Sequence, residues 1–316
     1  MAAGSAAGPA PVCPVLVGPT AAGKTALLLA LARRWPVTVL SLDSRQVYRG
    51  LRIGTAQPTA AERAACPHRL VDFLSPRRRW SARRFRAAFV RAWREERRRG
   101  RVPVLAGGTG FYLQAVTDGL PSPDVPDAAL QAVRAELDRL DDAALREALR
   151  RVDPVSWRRI PPGDRYRSQR ALEIARTTGR PASAWQRSHR PRPALGLAFP
   201  VVRLEPPTEA LAARIAARTD AMLMAGWLDE TRRLLDRYGP DCPGLRTLGY
   251  AQLVHHLRGE LSLAAARDEI VLRTRQYARR QRIWFRRVPA FAAGPPGDPV
   301  VRDALAELLA LAARQG

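Results

Sequence analysis

The sequence predicts an α/β fold in which a parallel sheet is flanked by helices and an all-α insertion interrupts the chain. Short apolar runs that end in glycine or polar residues alternate with helical patterns as far as residue 118. No run with the pattern of a strand occurs between residues 119 and 197, and such a run returns at Phe199–Leu204. Alternation of this kind is typical of parallel strands joined by right-handed helical crossovers.

The predicted strands of the first part are short and apolar, as expected of parallel strands that are buried on both faces. In chain order, the predicted elements are the strand Pro14–Val17, the helix Ala26–Arg34, the strand Val37–Leu42, the helix Phe85–Arg99 and the strand Val102–Ala106. Small or polar residues follow each strand. Because ligands of such sheets bind beyond the carboxyl ends of the strands, we expect the functional site at this edge.

The rest of the chain has a mainly helical pattern. A linker with Pro121, Pro123 and Pro126 belongs to a predicted helical insertion over 119–197, with helices at Asp127–Leu140, Asp142–Arg151 and Arg165–Thr178. We therefore expect the α/β domain to comprise 12–118 and 198–316, after a disordered tail over 1–11. Its C-terminal part is predicted to contain the helices Thr208–Tyr238, Tyr250–Arg258 and Leu263–Arg286 and a short final helix.

The net charge of +24 is the strongest compositional signal. A chain this basic usually binds a polyanion, because neutralised phosphates release counterions; the alternative is a compositional drift toward arginine without a ligand. No run approaches the roughly 18 apolar residues of a membrane helix, and the N-terminus lacks the pattern of a signal peptide. The three cysteines have no metal-ligand spacing. These features predict a cytoplasmic protein that does not bind a membrane.

A phosphate-binding loop is predicted at Gly18-Pro19-Thr20-Ala21-Ala22-Gly23-Lys24-Thr25, which fits the pattern GxxxxGK[ST] between a strand and a helix. In this pattern backbone N–H groups and the helix N-terminus face the phosphates, the lysine contacts the outer phosphate and the hydroxyl ligates Mg²⁺. Lys24 is also the only lysine among 53 lysines and arginines. A guanidinium does not replace a compact ammonium in a tight backbone cradle. The sequence thus predicts a P-loop NTPase-like fold, with Thr25 as the metal ligand.

Asp43 follows the second predicted strand and begins the segment Asp43-Ser44-Arg45-Gln46. A carboxylate at a strand end that faces the phosphate loop could bind Mg²⁺ through water, or could act as a general base toward an acceptor. It could equally cap the N-terminus of a helix, which is the commonest task of such a residue. Position alone leaves these alternatives open.

Several sequence blocks, in this order, resemble the tRNA dimethylallyltransferase (tRNA isopentenyltransferase) family over about residues 13–287. The blocks are GPTAAGKT (18–25), DSRQVYRGLRIGTAQP (43–58), PHRLVD (67–72), AGGTGFY (106–112), RSQRALEI (167–174), TLGYAQL (247–253) and TRQYARRQRIWFR (274–286). Two positions depart from the family pattern. Ala22 stands where serine is usual, and Gln57 stands where the family often has lysine.

The resemblance implies a reaction. Dimethylallyl diphosphate donates its prenyl group to the exocyclic amine of the adenine immediately 3′ of the anticodon, pyrophosphate leaves, Mg²⁺ assists and no ATP is consumed. It also implies that Asp43 accepts a hydrogen bond from that amine and serves as the base, that Thr109 is a polar group near the reacting centre, and that Lys24 stabilises the leaving diphosphate. A monomer is the family expectation.

Further binding residues are expected from the same resemblance. Arg214 and Arg218, one helical turn apart, could close over the diphosphate, with a solvated helix face as the alternative. The residues expected to contact the tRNA anticodon stem-loop are Asp43, Ser44, Arg45, Gln46, Thr109, Arg134, Tyr166, Arg167, Ser168, Gln169, Arg170, Arg246, Thr247, Leu248, Gly249, Tyr250 and Ala251. Arginines of 274–287 are candidates for phosphate contacts, whereas Tyr277 and Trp284 are expected in the core.

Two other function classes share some of these features. A P-loop kinase of a small metabolite or nucleotide would share the loop and the strand-end aspartate, but it would consume ATP and leave the charge and the insertion unexplained. A nucleotide-gated RNA-binding protein would explain the charge and the loop, but it would give Asp43 and Thr109 no role. The transferase accounts for all of these features.

Overall fold

The computed structural model describes residues 10–121 and 125–315, and within them it contains one six-stranded sheet. The strands are β1 (Val15–Val17), β2 (Val37–Leu42), β3 (His68–Arg69), β4 (Val102–Gly107), β5 (Val201–Leu204) and β6 (Ala292–Gly294). Their order is β3-β2-β4-β1-β5-β6, and all neighbours are parallel. This confirms the predicted parallel α/β architecture. Residues 1–9 of the expected tail and Pro123 of the linker lie outside the described residues.

Helices make up most of the remaining structure. They are α1 (Lys24–Ala32), α2 (Ala60–Ala65), α3 (Ala82–Arg98), α4 (Gly110–Thr117), α5 (Asp127–Asp138), α6 (Asp142–Val152), α7 (Pro154–Arg159), α8 (Arg165–Thr178), α9 (Ala182–Ser188), α10 (Thr208–Met224), α11 (Trp227–Tyr238), α12 (Tyr250–Leu257), α13 (Leu263–Phe285) and α14 (Pro299–Arg314). Within the described part of the chain, no helix is long and apolar enough to cross a membrane.

The chain forms two compact units, one of residues up to Thr117 and from Pro193 onward, the other of Asp118–Arg192. The second unit begins one residue before the expected insertion over 119–197 and ends five residues before it does. It contains α5 to α9 and, among its described residues, no strand. Its core consists of buried side chains such as Leu137, Leu149 and Leu172, which come from three different helices. Removing these side chains from water gives the insertion an apolar core of its own.

Two large apolar clusters of the first unit hold the sheet and the loop after β2. One joins β-strand residues such as Val39 and Val104 to Leu28 of α1 and Leu305 of α14, and so covers a face of the sheet. The other surrounds Trp227, which is 2% exposed, and includes buried residues of the loop after β2 and of α11, α12 and α13. The first cluster thus fixes the sheet, and the second fixes the loop that leaves the carboxyl end of β2.

Two predicted helices differ from the structure by more than two residues. The expected single helix Thr208–Tyr238 is two helices, α10 and α11. They are separated at Gly226, which has a left-handed backbone conformation with a φ of 92° at the N-terminus of α11. A left-handed residue cannot continue an α-helix, and glycine adopts this conformation readily. The helix predicted to begin at Phe85 begins at Ala82, because the Ser81 side chain accepts a hydrogen bond from the Arg84 N–H and caps it.

Candidate active site

The phosphate loop leaves β1 at the carboxyl edge of the sheet and ends where α1 begins at Lys24. Gly23 precedes the helix with a φ of 89°, a left-handed conformation that glycine adopts at little cost. The Lys24 Nζ donates to the carbonyl oxygens of Gly18 at 3.0 Å and of Pro19 at 2.8 Å. The ammonium therefore lies inside the curve of the loop, and Thr25 is exposed on the first turn of α1.

Positive charge in this loop is only partly compensated. Burial and, to a smaller extent, the Arg218 guanidinium lower the pKa of Lys24 to about 8, whereas the charge of Asp43 opposes this shift. Burial also lowers the pKa of Arg218, again against the attraction of Asp43. Two half-buried cations that share one carboxylate favour the binding of an additional anion, because the anion stabilises their charged forms.

The structure separates the two arginines of α10. Arg218 approaches the phosphate loop, and its Nη1 lies 3.5 Å from the Thr20 Oγ1. Arg214 donates to the Ala210 carbonyl oxygen of its own helix at 3.3 Å and has no hydrogen bond to the loop among the described residues. Only Arg218 thus lies where it can contact a phosphate without first moving.

Gln281 of α13 joins the phosphate loop to the end of β4. Its Oε1 accepts from the Thr20 N–H at 2.9 Å, and its Nε2 donates to the Gly108 carbonyl oxygen at 2.8 Å. The side chain is buried, so both of its polar groups are satisfied by the two loops that it connects. Sequence reasoning missed this residue. Its position four residues after Tyr277, on the same face of a helix, is the signal that could have identified it.

Asp43 caps the turn that follows β2. Its Oδ1 accepts from the N–H groups of Arg45 at 2.7 Å and Gln46 at 3.2 Å. The other carboxylate oxygen has no hydrogen bond among the described residues. Asp43 nevertheless acts electrostatically on Lys24 and Arg218, so it faces the phosphate loop. Capping and a role toward a substrate are therefore compatible, because they use different oxygens.

Thr109 lies beside Asp43, at the turn after β4. Its Oγ1 accepts from the Ser44 N–H at 3.2 Å, and its side chain lies close enough to Tyr277 to stabilise the phenolate form of that residue. Burial and the negative charge of Asp43 raise the pKa of Tyr277 to about 12, so its hydroxyl stays neutral. Tyr277 is half-buried and belongs to the site, whereas it was expected in the core. The expectation for Trp284 was wrong: this side chain is 42% exposed.

Two glutamines hold the loop after Asp43 in place. Gln46 accepts from the Ser41 hydroxyl at 2.8 Å and donates to the Ala56 carbonyl oxygen at 2.8 Å. The Gln57 Nε2 donates to the carbonyl oxygens of Gln46 and Tyr48, both at 2.9 Å. The uncharged amide of Gln57 thus donates to two backbone carbonyl oxygens, which explains how glutamine is accommodated where the family often has lysine.

The block Arg246–Ala251 packs against the loop that follows β2 and holds it in place. Tyr250 is fully buried; its hydroxyl donates to the Glu230 Oε1 at 2.5 Å and accepts from the Gly54 N–H at 3.0 Å. Burial, followed by the charge of Glu230, raises the pKa of Tyr250. A Cβ at Gly249, where φ is 91°, would lie 2.2 Å from the Trp227 ring, so the close packing of this ring requires glycine.

Most of that block therefore has little surface to offer a tRNA. Thr247 and Gly249 are buried like Tyr250, Leu248 and Ala251 are half-buried, and only Arg246 is exposed. Sequence reasoning missed Glu230 and Trp227, which complete this support. Neither residue lies in the blocks that carry the family resemblance.

The candidate tRNA residues of the insertion differ in accessibility. Tyr166 is 77% exposed, and Arg167 is also exposed on the first turn of α8. Ser168 is 1% exposed and faces the interior. The remaining candidates form side-chain hydrogen bonds inside the unit: Arg134 and Arg170 to Glu173, and Gln169 to Asp138.

A bound Mg²⁺ is compatible with the donors present at the phosphate loop. The described residues contain no group of three or more His, Cys, Asp or Glu that could hold a metal ion. Mg²⁺ commonly binds through one or two protein oxygens together with water and substrate phosphates. The exposed Thr25 hydroxyl, with Asp43 across the loop, fits that mode of binding.

Known proteins are similar to this chain over most of its length. The family model described as IPP transferase matches residues 46–288, and that described as isopentenyl transferase matches 12–70. The chain is 45% identical to a tRNA dimethylallyltransferase of Bordetella petrii, over 93% of this chain and 97% of the relative. It is also 45% identical to a tRNA dimethylallyltransferase of Synechococcus sp. (strain JA-3-3Ab), over 87% and 79%.

Solved structures give the same result. The crystal structure of a tRNA isopentenylpyrophosphate transferase from Staphylococcus epidermidis is similar with a TM-score of 0.67 and 30% identity, covering 97% of this chain and 100% of that one. A eukaryotic dimethylallyltransferase acting on tRNA is similar with a TM-score of 0.75 and 25% identity, covering 90% and 74%. The chain therefore belongs to the IPP transferase family, whose named relatives are tRNA dimethylallyltransferases.

Proposed function

We propose that this enzyme transfers the dimethylallyl group from dimethylallyl diphosphate to the exocyclic N6 of the adenine immediately 3′ of the anticodon in tRNA, releasing pyrophosphate. One observation carries the proposal. Lys24 lies in the phosphate loop, Arg218 approaches Thr20 of the same loop, and Asp43 directly follows β2 at the carboxyl edge of the sheet, where its charge acts on both cations. A leaving group and a nucleophile can thus be held against each other there.

The diphosphate side stabilises the charge that develops as the carbon–oxygen bond breaks. Lys24 now donates to two carbonyl oxygens of its own loop, and phosphate oxygens would take their place. The Arg218 guanidinium would contact the diphosphate from the α10 side. Both groups are preorganised and partly desolvated, which makes them more effective than the same charges in water. Bound Mg²⁺ at Thr25 would supply further neutralisation of the leaving pyrophosphate.

The acceptor side activates the exocyclic amine of adenine, which is a weak nucleophile. The carbon–nitrogen bond forms as the carbon–oxygen bond breaks, and N6 must lose one proton. The free oxygen of Asp43 would accept a hydrogen bond from the amine and then that proton. Thr109, held by the Ser44 N–H, would fix the position of the amine. Tyr277 stays neutral beside Asp43, so it does not compete for the proton.

The substrate adenine must leave its stack in the anticodon loop before it can reach Asp43. Unstacked loop bases are recognised through aromatic and guanidinium planes and through phosphate contacts. The exposed Tyr166 and Arg167 of α8 are suited to such contacts, and the net charge of +24 favours the polyanion. We place the reaction in the cytoplasm, in a monomeric enzyme.

The kinase alternative makes an opposite prediction about ATP. Purified enzyme is incubated with Mg²⁺, dimethylallyl diphosphate and unmodified tRNA, and the released pyrophosphate is measured with and without ATP. We expect stoichiometric pyrophosphate release that depends on tRNA and is indifferent to ATP. Phosphoryl transfer from ATP to a small metabolite, without tRNA-dependent pyrophosphate release, would establish the kinase instead.

A further inference from the structure

A cleft of about 790 Å³ lies in the first unit, outside the residues assigned above to the reaction. It is bordered by the loop after β2, by the segment before α3 and by the end of α11. Its charged side chains are Arg49, Arg52, Asp72, Arg77 and Arg237. A cavity of this size is typical of a ligand site, and the excess of arginine indicates an anionic ligand.

The one carboxylate of the cleft is already engaged. The Asp72 Oδ1 accepts from the Gly50 N–H at 3.0 Å, and its Oδ2 accepts from the Arg52 Nη2 at 3.0 Å. Asp72 thus orients Arg52 and the loop backbone. Arg49, which is exposed, has no side-chain partner among the described residues. The cleft retains a net positive charge, so an incoming phosphate meets no uncompensated carboxylate.

Two further arginines are held in place by Tyr238. Its ring is contacted by the guanidinium of Arg77 at 5.6 Å and by that of Arg237 at 5.3 Å from the ring centroid. These cation–π contacts restrict two long side chains before any ligand binds. Prior restriction reduces the entropy lost on binding, and a planar guanidinium matches the geometry of phosphate oxygens.

The cleft is connected to the reacting centre by a short stretch of chain. Asp43 begins the loop after β2, and Arg49 lies six residues later at the edge of the cleft. Six residues span at most about 20 Å when fully extended. An RNA strand that places a base at Asp43 therefore passes within reach of this cleft.

We propose that this arginine cleft binds the phosphodiester backbone of the tRNA next to the modified adenine. The inference rests on the proposed function, because it takes that adenine to be held at Asp43. Phosphate contacts position a nucleic acid without selecting its sequence. The cleft accordingly contributes affinity and register for all substrate tRNAs, and it leaves the diphosphate site unaffected.

The test compares two double variants. Arg49→Ala/Arg237→Ala removes two exposed cleft charges, and Arg33→Ala/Arg34→Ala removes two exposed charges at the opposite edge of the sheet, between α1 and β2. The control is matched, because the Arg34 guanidinium also lies over an aromatic ring, that of Trp35, at 4.9 Å. Affinity for an unmodified anticodon stem-loop is measured at several salt concentrations, together with the steady-state constants for both substrates.

In the cleft variant, we expect the slope of log affinity against log salt to become shallower by about 1.4, since each single-strand phosphate contact contributes about 0.7. The KM for tRNA should rise about tenfold or more, because hydrogen bonds to charged groups are lost, while the KM for dimethylallyl diphosphate stays unchanged. The control variant should keep the native slope. Arg237→Lys should also keep it, because the charge remains although the planar contact with Tyr238 is lost.

Equal slopes and equal KM values for tRNA in the two double variants would overturn the inference. A second result would also overturn it: a cleft variant that keeps native tRNA affinity but no longer binds inorganic phosphate, as measured by calorimetry. The ligand of the cleft would then be a free phosphate. A native enzyme that prenylates no tRNA contradicts the proposed function itself. By contrast, a native enzyme and a cleft variant that prenylate tRNA equally well contradict only the inference about the cleft.

Discussion

Two corners of the first unit adjoin the loop after β2, and they have different tasks. The catalytic corner consists of Lys24, Asp43, Thr109 and Arg218, which lie at the phosphate loop and at the turns after β2 and β4. The support corner consists of Trp227, Glu230, Gly249 and Tyr250, which are buried against one another. The family motifs include members of both corners. A residue of a motif can thus serve a substrate directly or can hold the chain that does.

Asp43→Asn should produce the largest effect on turnover. The amide keeps the turn-capping oxygen but loses the basic carboxylate, so kcat should fall by about 10²–10⁴, the usual contribution of a general base. Single-turnover transfer to tRNA measures this. Diphosphate affinity, measured by calorimetry, should be retained. A variant that turns over normally would show that capping is the only task of Asp43.

Lys24→Ala should come next. The loss of one preorganised donor to a developing anion typically costs about 10²–10³ in kcat. Unlike Asp43→Asn, this variant should also bind dimethylallyl diphosphate more weakly. We expect Lys24→Arg to remain impaired, because the guanidinium does not fit between the Gly18 and Pro19 carbonyl oxygens. Full activity in Lys24→Arg would remove the explanation for the single lysine.

Tyr250→Phe should affect stability before chemistry. The change leaves the Glu230 carboxylate and the Gly54 N–H without their shared partner, so the free energy of unfolding should fall by about 1–3 kcal/mol. Denaturant unfolding measures it. Arg246→Ala, a change at the exposed residue of the same block, is the matched control and should not change stability. If both variants have the same free energy of unfolding, the buried Tyr250 contributes no more to stability than the exposed Arg246.

The smallest expected effect is the dependence of kcat/KM for dimethylallyl diphosphate on pH. The pKa of Lys24 is lowered from 10.5 to about 8, so the ammonium is lost as pH rises through about 8 and diphosphate binding weakens. We expect kcat/KM for dimethylallyl diphosphate to fall about tenfold between pH 7 and pH 9. The ligand-free protein should gain stability between pH 8 and pH 10.5, because the unfolded chain then binds more protons.

Arg218→Ala tests the origin of that pKa. Without the neighbouring guanidinium the pKa of Lys24 should rise, and the alkaline fall in kcat/KM should move to higher pH. Diphosphate affinity at pH 7 should fall at the same time. Arg214→Ala should leave the position of the alkaline limb unchanged, because Arg214 donates to its own helix. Identical pH profiles in the two variants would place Arg218 outside the phosphate site.

The catalytic corner could largely be predicted from sequence, because its signals are local. A strand, a glycine-rich loop, a lysine and a helix follow one another within 15–32, and Asp43 directly follows a strand. The support corner could not be predicted in this way. Glu230 accepts from the Ile53 N–H across 177 residues of sequence, and no short pattern encodes such a contact. The break at Gly226 was missed because the flanking residues have strong helical patterns on both sides.

The central claim is that the phosphate loop holds a leaving group while Asp43 faces an adenine of tRNA. Mass spectrometry of nuclease fragments tests it most directly, after the enzyme has been incubated with Mg²⁺, dimethylallyl diphosphate and an unmodified tRNA that has adenines within and beside its anticodon. The account predicts the mass gain of one dimethylallyl group on the adenine immediately 3′ of the anticodon, without ATP, in the native enzyme. No gain, or a gain on another nucleotide, would contradict it.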